Sequence, residues 1–305
     1  MDRRLFLRDT AGAIGGLAVF GAFSPLLGQA APTAARPDLA VVNGTPVEKI
    51  VRASVDALGG IKRFISKGDV VVVKPNIGWD RAPEYAANTN PDVVATLVRM
   101  CLEAGAKKVK VFDRTCDEPR RCYANSGIGA AAKAAGAEVS HVDDKDERMF
   151  REVKIPSGVA IQSWPIHRDI LDADKLINAP IAKHHGSGKL TMALKNWMGV
   201  MGGNRGKAHQ NLHAMIADLA LIIKPCLTVL DAVRILTAHG PKGGDLADVK
   251  CLDTVIASVD QVAIDAYGAT LFGMTGDDLP YVKDAAGRGL GKIDLSKLIV
   301  KKIEV

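Results

Sequence analysis

The sequence predicts an α/β fold, mainly a parallel sheet with helices on both faces. Strand-like and helix-like segments alternate from residue 39 almost to the end, and a helix between successive strands is what a parallel sheet requires. Residues 69–73 hold a continuous apolar, β-branched run, which is typical of a strand buried on both faces. Residues 150–162 break the alternation, so a small antiparallel extension or a cap lobe is expected there.

Local signals delimit the elements in order. Pro46 begins an amphipathic helix that runs to Leu58, and Asn90 with Pro91 begins the next helix, which ends at Gly105. Strands are predicted at residues 39–42, 69–73, 107–112, 138–142, 175–181, 227–232, 255–258 and 298–303. Helices are predicted at residues 46–58, 90–105, 126–135, 190–201, 209–223 and 261–272.

Residues 1–30 predict a twin-arginine export signal. Arg3, Arg4 and Arg8 form a basic segment ahead of residues 11–27, which are apolar but diluted by glycine. Such a signal directs a folded protein to the twin-arginine translocase. That translocase is therefore an expected partner, and the periplasm or the extracellular space is the expected location. An uncleaved membrane anchor is the alternative, because the uncharged stretch is long enough to span a bilayer.

The segment after the signal is expected to be a linker and then one domain. Small residues at positions 28–30 predict cleavage before Ala31. Residues 31–38 are a linker that leads to a single α/β domain at residues 39–305. No second long apolar run follows in the sequence, so no stable membrane insertion is expected after cleavage.

The charge balance argues against nucleic acid as a partner. The 305-residue chain has 40 Lys and Arg against 34 Asp and Glu, which is a formal net charge of +6. This excess favours a small anionic ligand only weakly. The sequence has no run of Lys and Arg interleaved with aromatic residues, a pattern typical of nucleic-acid binding.

The cysteines leave several roles open. Five cysteines are an odd number, which in an exported protein excludes a complete set of internal disulfides. Cys101 and Cys226 lie in apolar segments and are expected to be buried. Cys116 and Cys122 lie in a polar loop after a strand, where a disulfide, a metal or iron–sulfur site, and free thiols are all compatible with the spacing. The four-cysteine run of ferredoxins is absent from the sequence.

Polar residues follow four of the predicted strands. They are Lys74, Asn76, Asp113, Arg114, Lys183, His184, His185, Asp231 and Arg234. In open parallel sheets, ligands bind outside the carboxyl ends of the strands. The sequence therefore predicts a ligand cleft at this edge of the sheet.

Residues 183–205 are the richest segment in candidate ligand-binding groups. Gly186 and Gly188 let the backbone approach a ligand, and a helix start after them presents free N–H groups to an anion. The spacing of a Walker loop is missing, and an ordinary glycine turn is the alternative. The candidate ligand-binding residues of the whole chain are Lys74, Asn76, Lys183, His184, His185, Lys195, Asn196 and Arg205.

A mixed histidine and carboxylate metal site is a separate hypothesis. His209 and His213 are four residues apart, so a helix would place both on one face. Together with His184 and the carboxylate of Asp231 they would suit a divalent metal such as zinc, iron or nickel. A histidine pair at this spacing also serves for helix capping or surface hydrogen bonds, and that alternative stays open.

Several separated motifs carry a family resemblance. They lie at residues 71–76 (VVVKPN), 88–91 (NTNP), 178–185 (NAPIAKHH), 195–199 (KNWMG), 209–213 (HQNLH), 231–232 (DA) and 256–266 (IASVDQVAIDA). The chain resembles the domain-of-unknown-function family 362 (DUF362), and specifically its members with twin-arginine signals. The resemblance implies an α/β domain. It assigns no catalytic residue. Some members are fused to ferredoxin-type cluster modules, which this sequence lacks.

The function favoured by these patterns is that of an exported α/β protein that binds a small anionic or metal-containing ligand at the strand ends. It would act as a redox-associated enzyme or accessory protein, with a divalent metal or an iron–sulfur cluster as candidate cofactors. A non-catalytic solute-binding or assembly protein is one alternative, and an iron–sulfur protein that uses Cys116 and Cys122 is another. Neither the nucleophile motif of serine hydrolases nor the dinucleotide fingerprint is present, so enzymatic activity is left undecided.

Overall fold

The computed structural model describes residues 36–305, and the predicted export signal lies outside the described residues. The strands are β1 (Leu39–Asn43), β2 (Val70–Pro75), β3 (Lys108–Val111), β4 (Glu138–Val139), β5 (Phe150–Lys154), β6 (Ser163–His167), β7 (Lys175–Ala179), β8 (Ile181–His185), β9 (Lys189–Thr191), β10 (Leu227–Leu236), β11 (Val249–Ser258) and β12 (Val300–Glu304). The helices are α1 (Val47–Ala57), α2 (Pro91–Glu103), α3 (Pro119–Asn125), α4 (Ile128–Ala134), α5 (Arg168–Asp172), α6 (Ala193–Asn196), α7 (Arg205–Ala208), α8 (Leu212–Ile222), α9 (Gln261–Thr270) and α10 (Pro280–Gly287).

The central sheet has the strand order β12-β1-β11-β10-β7-β2-β3-β4, and β8 and β9 are attached beside β10. From β10 through β4 the neighbouring strands are parallel, whereas β11 runs antiparallel to both β1 and β10. Strands β5 and β6 form a separate antiparallel pair. The mainly parallel sheet with its small antiparallel extension confirms the predicted fold class.

Helices cover both faces of the sheet. In β2, Val71 and Val73 pack in one cluster with side chains of α1, α2 and α4. Val72 points to the other face and packs in a second cluster with side chains of α6, α8, α9 and α10. Successive side chains of a strand alternate between faces, so a strand buried on both sides must be apolar at every position.

Helix α2 begins where the sequence predicts. The side chain of Asn90 accepts the Asp92 N–H at 2.9 Å, and Pro91 takes the first helical position, where a missing N–H costs nothing. The cap also orders the end of the loop that leads from β2, because the Asn90 N–H donates to Asp231 Oδ2 at 2.7 Å.

Two predicted elements are interrupted in the structure. The predicted strand at 175–181 is two strands, since Pro180 separates β7 from β8. The predicted helix at 190–201 is only the short helix α6 followed by a 3₁₀ turn at Trp197–Val200. Asp265 of α9 determines where α6 begins, because its carboxylate accepts the N–H groups of Ala193 and Leu194 at 2.7 and 3.0 Å.

Other boundaries differ more modestly. Helix α8 begins at Leu212, behind a 3₁₀ turn at His209–Asn211, and helices α3 and α10 were not predicted. Helices α5 and α7 were not predicted either, and all four have eight residues or fewer, too few to show a clear helical period. Among residues 36–305, no helix has the length and apolar character needed to cross a membrane.

Candidate functional site

A cavity of about 460 Å³ opens at the carboxyl ends of β2, β3 and β8. This volume suits a small-molecule ligand. The lining residues are Lys74, Asn76, Gly78, Trp79, Asp113, Arg114, Cys116, Lys183, His185, Thr191, Lys195, Asn196, Met198, Gly199, Arg205, Gly206, His209 and Pro241. The cavity therefore lies where the strand ends predicted a ligand cleft.

The lining includes a buried ion pair. Lys74 Nζ, at the end of β2, is 2.8 Å from Asp113 Oδ1, which follows β3. The same ammonium group donates to the main-chain oxygen of Asn196 at 2.6 Å, and Asp113 Oδ2 accepts the Ile77 N–H at 2.6 Å. Burial lowers the pKa of Lys74, while the Asp113 carboxylate opposes that shift.

Asn196, at the end of α6, links the strand ends to the helices behind them. Its Oδ1 accepts from Lys74 Nζ and from Asn76 Nδ2, both at 3.1 Å. Its Nδ2 donates to Asn178 Oδ1 at 2.9 Å. Asn178 Nδ2 in turn donates to Gln261 Oε1 at 3.3 Å. In this series of hydrogen bonds each amide group is oriented by the next one, so the arrangement of polar groups in the cavity is preorganised.

Lys183 is the second buried lysine of the cavity. It is 1% exposed, and its Nζ donates to Asn76 Oδ1 at 3.1 Å and to the main-chain oxygen of Ala87. Both acceptors are neutral, and no carboxylate of residues 36–305 hydrogen-bonds this amine. Burial lowers the pKa of Lys183 to about 7, and the charge of Lys195 adds to the effect.

Lys195 is the third buried lysine, and it lies on α6. It is 8% exposed, yet its amine has no hydrogen bond or ion pair with any residue from 36 to 305. Burial lowers the pKa of Lys195 to about 8, and the cations of Arg205 and Lys74 act in the same direction. Gly188 makes room for this side chain, because a Cβ there would lie 3.1 Å from Lys195 Cε.

Two histidines of the lining are held in defined orientations. His185 Nδ1 accepts the Gly188 N–H at 3.1 Å, so in the neutral ring the proton is on Nε2. Burial lowers the pKa of His185 to about 3, and Lys195 and Lys183 also lower it, which keeps the ring neutral at physiological pH. His209 Nδ1 is 3.1 Å from the main-chain oxygen of Arg205, so Nδ1 is the donor and Nε2 the acceptor.

Two arginines, Arg114 and Arg205, also line the cavity. Arg205 donates to the main-chain oxygens of Arg114 and Thr115 at 2.8 and 2.6 Å. Arg114 donates to the Met201 oxygen at 2.8 Å and pairs with Asp144 at 2.6 Å. Each guanidinium is thus fixed by main-chain oxygens. Arg205 has no ion-pair partner among the described residues.

The structure brings together most of the predicted ligand-binding residues. Seven of the eight line this cavity: Lys74, Asn76, Lys183, His185, Lys195, Asn196 and Arg205. His184 does not, because alternate residues of β8 face opposite sides, and His184 Nδ1 instead accepts the Gly240 N–H at 3.1 Å. Binding by the other seven remains a prediction.

The four predicted metal ligands do not meet. Asp231 uses both carboxylate oxygens on the N–H groups of Asn90 and Val233. His213 lies parallel to the Tyr281 ring at a centroid distance of 6.2 Å, whereas His209 lines the cavity and His184 faces away from it. Among the described residues, no group of three or more His, Cys, Asp or Glu side chains could hold a metal ion.

Of the alternatives left open for Cys116 and Cys122, the structure has no disulfide between them. Both are free thiols in the structure. Cys122 is buried in α3, with Sγ 3.9 Å from the main-chain oxygen of Gly78, whereas Cys116 is exposed at the cavity. Helix α3, which the sequence did not predict, turns the two side chains into different environments.

The sequence left some lining residues out of the candidate site. Thr191 lies opposite Lys183 in the β8–β9 pair, and its buried Oγ1 has no hydrogen-bond partner among residues 36–305. Gly199 lets the Lys74–Asp113 pair form, because a Cβ there would overlap Asp113 Oδ1. Trp79 forms part of the outer lining. The motif at 195–199 gave a signal for Gly199, whereas nothing local marked Thr191.

Fold and cavity together define an α/β protein with a preorganised, cation-rich cavity at its strand ends. The chain belongs to the family described as domain of unknown function (DUF362), whose sequence model matches residues 71–270. This confirms the family resemblance, while membership of a twin-arginine subgroup stays a prediction. Thylakoid-associated protein sll1697 of Synechocystis sp. is 27% identical over 223 residues, which cover 70% of this chain and 66% of that relative.

Two solved structures show weaker similarity. A crystal structure of a Thermotoga maritima protein has a TM-score of 0.49 and 11% identity, over 76% of this chain and 60% of the other. The lactate racemase apoprotein from Thermoanaerobacterium thermosaccharolyticum has a TM-score of 0.43 and 12% identity, over 75% and 56%. The chain thus spans about 56–66% of the length of these three proteins. Similarity of this size to the two structures has no bearing on the ligand or the reaction of the chain.

Proposed function

We propose that this DUF362 protein binds a small anionic ligand in the cavity at the ends of β2, β3 and β8. The observation that carries the proposal is the excess of positive charge. Among the described residues, three lysines and two arginines line the cavity, and Asp113 is the single carboxylate of that lining. Because Asp113 is already paired with Lys74, an anion entering the cavity would meet uncompensated cations.

Lys195 and Arg205 are the groups that most need an anion. Neither has an ion-pair partner within residues 36–305, and both line the cavity. The Nε2–H of neutral His185 and the hydroxyl of Thr191 are further donors, and Thr191 Oγ1 has no other partner in the described chain. A carboxylate or phosphate would satisfy these donors together.

A bare metal ion fits this cavity poorly. Lys183 and Lys195 would repel a divalent cation, and Asp113 already neutralises Lys74. Cys116 lies in the lining without Cys122, so an iron–sulfur cluster would have one thiolate from this chain. A metal cofactor would therefore enter this site as part of a complex with negative charge.

Acid–base chemistry on the bound ligand is supported better than simple solute carriage. Lys183 and Lys195 have pKa values lowered to about 7 and about 8, so each amine can take up or release a proton near neutral pH. The non-catalytic alternative predicts binding without turnover of the ligand.

Calorimetry and thermal shift with inorganic phosphate and with succinate test the binding proposal. Lys195→Met should weaken binding of at least one of these anions by about tenfold or more, the loss of about 1.4 kcal/mol. Lys207→Met is the matched control, because Lys207 is exposed, lies near Arg205 in sequence and does not line the cavity. Equal affinities in the two variants, or no binding of either anion by the wild type, would contradict the proposal.

We also propose that the chain acts in the periplasm or outside the cell after export by the twin-arginine translocase. The supporting feature is the pair Arg3-Arg4 ahead of the weakly apolar stretch. Replacing both by lysine should retain the chain in the cytoplasm on fractionation, whereas Arg8→Lys should still be exported. Equal export of the double variant and the wild type would contradict this proposal.

A further inference from the structure

We propose that Lys195 forms an imine with a small aldehyde or ketone that carries a carboxylate or phosphate group. The inference rests on the anion binding proposed above and names the ligand class. It follows from the position of one amine in the cavity, from the cations around it and from the lack of a hydrogen-bond or ion-pair partner for it among residues 36–305.

Lys195 differs from the other two buried lysines of the cavity. Lys74 is paired with the Asp113 carboxylate, and Lys183 donates to Asn76 and to a main-chain oxygen. Within residues 36–305 the Lys195 amine has neither kind of partner, although the residue is 92% buried. Loss of hydration disfavours the ammonium form of an unpartnered lysine, so a larger fraction of this amine is in the neutral, nucleophilic form than in an exposed lysine.

The neighbours of Lys195 act in the same direction. Arg205 and Lys74 are the cations that lower its pKa, in addition to burial, and the neutral form is therefore well populated near pH 8. The missing side chain of Gly188 leaves room for Lys195, because a Cβ there would lie 3.1 Å from Lys195 Cε and 3.3 Å from Cδ. Nucleophilic lysines in enzymes are activated by this combination of burial and a nearby cation.

The rest of the lining can hold the ligand while the amine reacts. Arg205 and Lys183 line the same cavity as Lys195 and carry the positive charge that would attract a carboxylate or phosphate. His185 presents its Nε2–H as a donor for a carbonyl oxygen. His209 also lines the cavity, and its Nδ1 is 3.1 Å from the main-chain oxygen of Arg205.

The reaction balances without any oxidant or metal. The lone pair of Lys195 Nζ forms a bond to the carbonyl carbon, and the carbonyl electron pair moves to oxygen, which takes up a proton. The nitrogen, positively charged after the addition, loses one proton, and the hydroxyl then leaves with a proton as water while the nitrogen lone pair forms the C=N bond. Loss of the second amine proton gives the neutral imine. The two hydrogens of the amine and the oxygen of the carbonyl leave together as one water molecule.

Borohydride trapping tests the proposal on the unmodified full chain. The protein is incubated with 2-oxobutyrate or with dihydroxyacetone phosphate, reduced, digested and mapped by mass spectrometry. We expect a stable secondary amine at Lys195 with at least one of the two ketones, and the ketone that reacts identifies the anionic group. The trapping rate should rise as pH passes through about 8.

Each ketone is paired with its alcohol, 2-hydroxybutyrate or glycerol 3-phosphate, to separate imine formation from binding. Calorimetric binding of ketone and alcohol without any adduct would overturn the imine and leave anion binding intact. If none of the four compounds bound, both proposals would be overturned. An adduct on Lys183 or on exposed lysines at the rate seen for Lys195 would also overturn the assignment.

Two variants complete the test. Lys195→Arg keeps a positive charge but cannot form an imine, so trapping should fall by about tenfold or more while the alcohol still binds. Lys207→Arg, at an exposed position outside the cavity, should leave trapping unchanged. Should Lys195→Arg fail to fold, the peptide map of the wild type still decides the question.

Discussion

Lys74 Nζ lies 2.8 Å from Asp113 Oδ1, and the two side chains are 1% and 3% exposed. They come from the ends of neighbouring parallel strands, β2 and β3, so the sheet itself brings them together. A buried ion pair of this kind contributes little net stability, but removing one partner leaves an uncompensated charge. The pair therefore fixes the positions of two lining groups of the cavity and adds little to the stability of the fold.

A double-mutant cycle on this pair should show strong coupling. Lys74→Met and Asp113→Asn should each lower the free energy of unfolding by about 3–5 kcal/mol, because each leaves a buried partner alone. The double variant should lose much less than the sum of the two. Denaturant titration of the four proteins gives the coupling energy. Strictly additive losses would show that the pair does not interact as the structure indicates.

Gly199 is expected to tolerate no side chain. Gly199→Ala would push a Cβ into Asp113 Oδ1 and close to Lys74 Nζ, so it should lower the free energy of unfolding by about 1–3 kcal/mol and weaken anion binding. Gly186→Ala is the control, because a Cβ there meets no atom within 4 Å. Thermal unfolding and anion titration of both variants test the difference. A stable Gly199→Ala protein with normal affinity would contradict it.

Lys183 should give stability a defined pH dependence. Its pKa is about 7 in the folded chain against 10.5 for an unperturbed lysine, so between these values the unfolded chain binds more protons. The burial of the Lys183 ammonium group therefore destabilises the fold most below about pH 7, and this destabilisation decreases as pH rises towards 10.5.

The Lys183→Met variant isolates this contribution. The free energy of unfolding of the wild type relative to Lys183→Met should increase from about pH 7 to about pH 9. The free energy of unfolding of the wild type relative to Lys207→Met, a change at an exposed lysine, should stay constant over the same pH range. Denaturant titrations at several pH values measure both differences, and parallel curves for the two variants would count against a lowered pKa at Lys183.

Cys116 should report the positive potential of the cavity. Four cationic residues of the cavity lie near enough to interact with Cys116: Lys183, Lys195, Lys74 and Arg114. The rate of reaction with the anionic reagent iodoacetate, divided by the rate with neutral iodoacetamide, should therefore be several-fold higher at Cys116 than at Cys251. Cys251 is exposed elsewhere.

Mass spectrometry of each labelled cysteine gives the two rate ratios. About 1 M salt should reduce the preference at Cys116, because screening shortens the Debye length to about 3 Å. Saturating phosphate should protect Cys116 and leave Cys251 reactive. The same iodoacetate preference at both cysteines would argue against a cationic cavity.

Sequence patterns predicted the central elements because their signals are local. The apolar run before Lys74 is β2, and the Asn90 cap begins α2. Helix α6 was predicted too long, because the carboxylate of Asp265, 72 residues from Ala193, sets its beginning. No periodicity at residues 190–201 could contain that information.

The candidate site shows the same division. Residue type and position after a strand placed Lys74, Asn76 and Lys183 in one cleft, since parallel strands end at a common edge. The metal hypothesis grouped His209 with His213 by helical spacing, but His209 lies in a 3₁₀ turn before α8 begins. The assumed helix was therefore not continuous.

The sequence by itself determined the fold class, the family and the edge of the sheet where polar groups gather, because each depends on short-range order along the chain. Only the tertiary structure decided which of those groups are partnered. Lys74, Lys183 and Lys195 look alike in sequence, yet one meets Asp113, one meets neutral oxygens and one meets no partner in the described chain. That difference arises from distant segments packed around each amine, and it sets the charge and reactivity that the sequence could not assign.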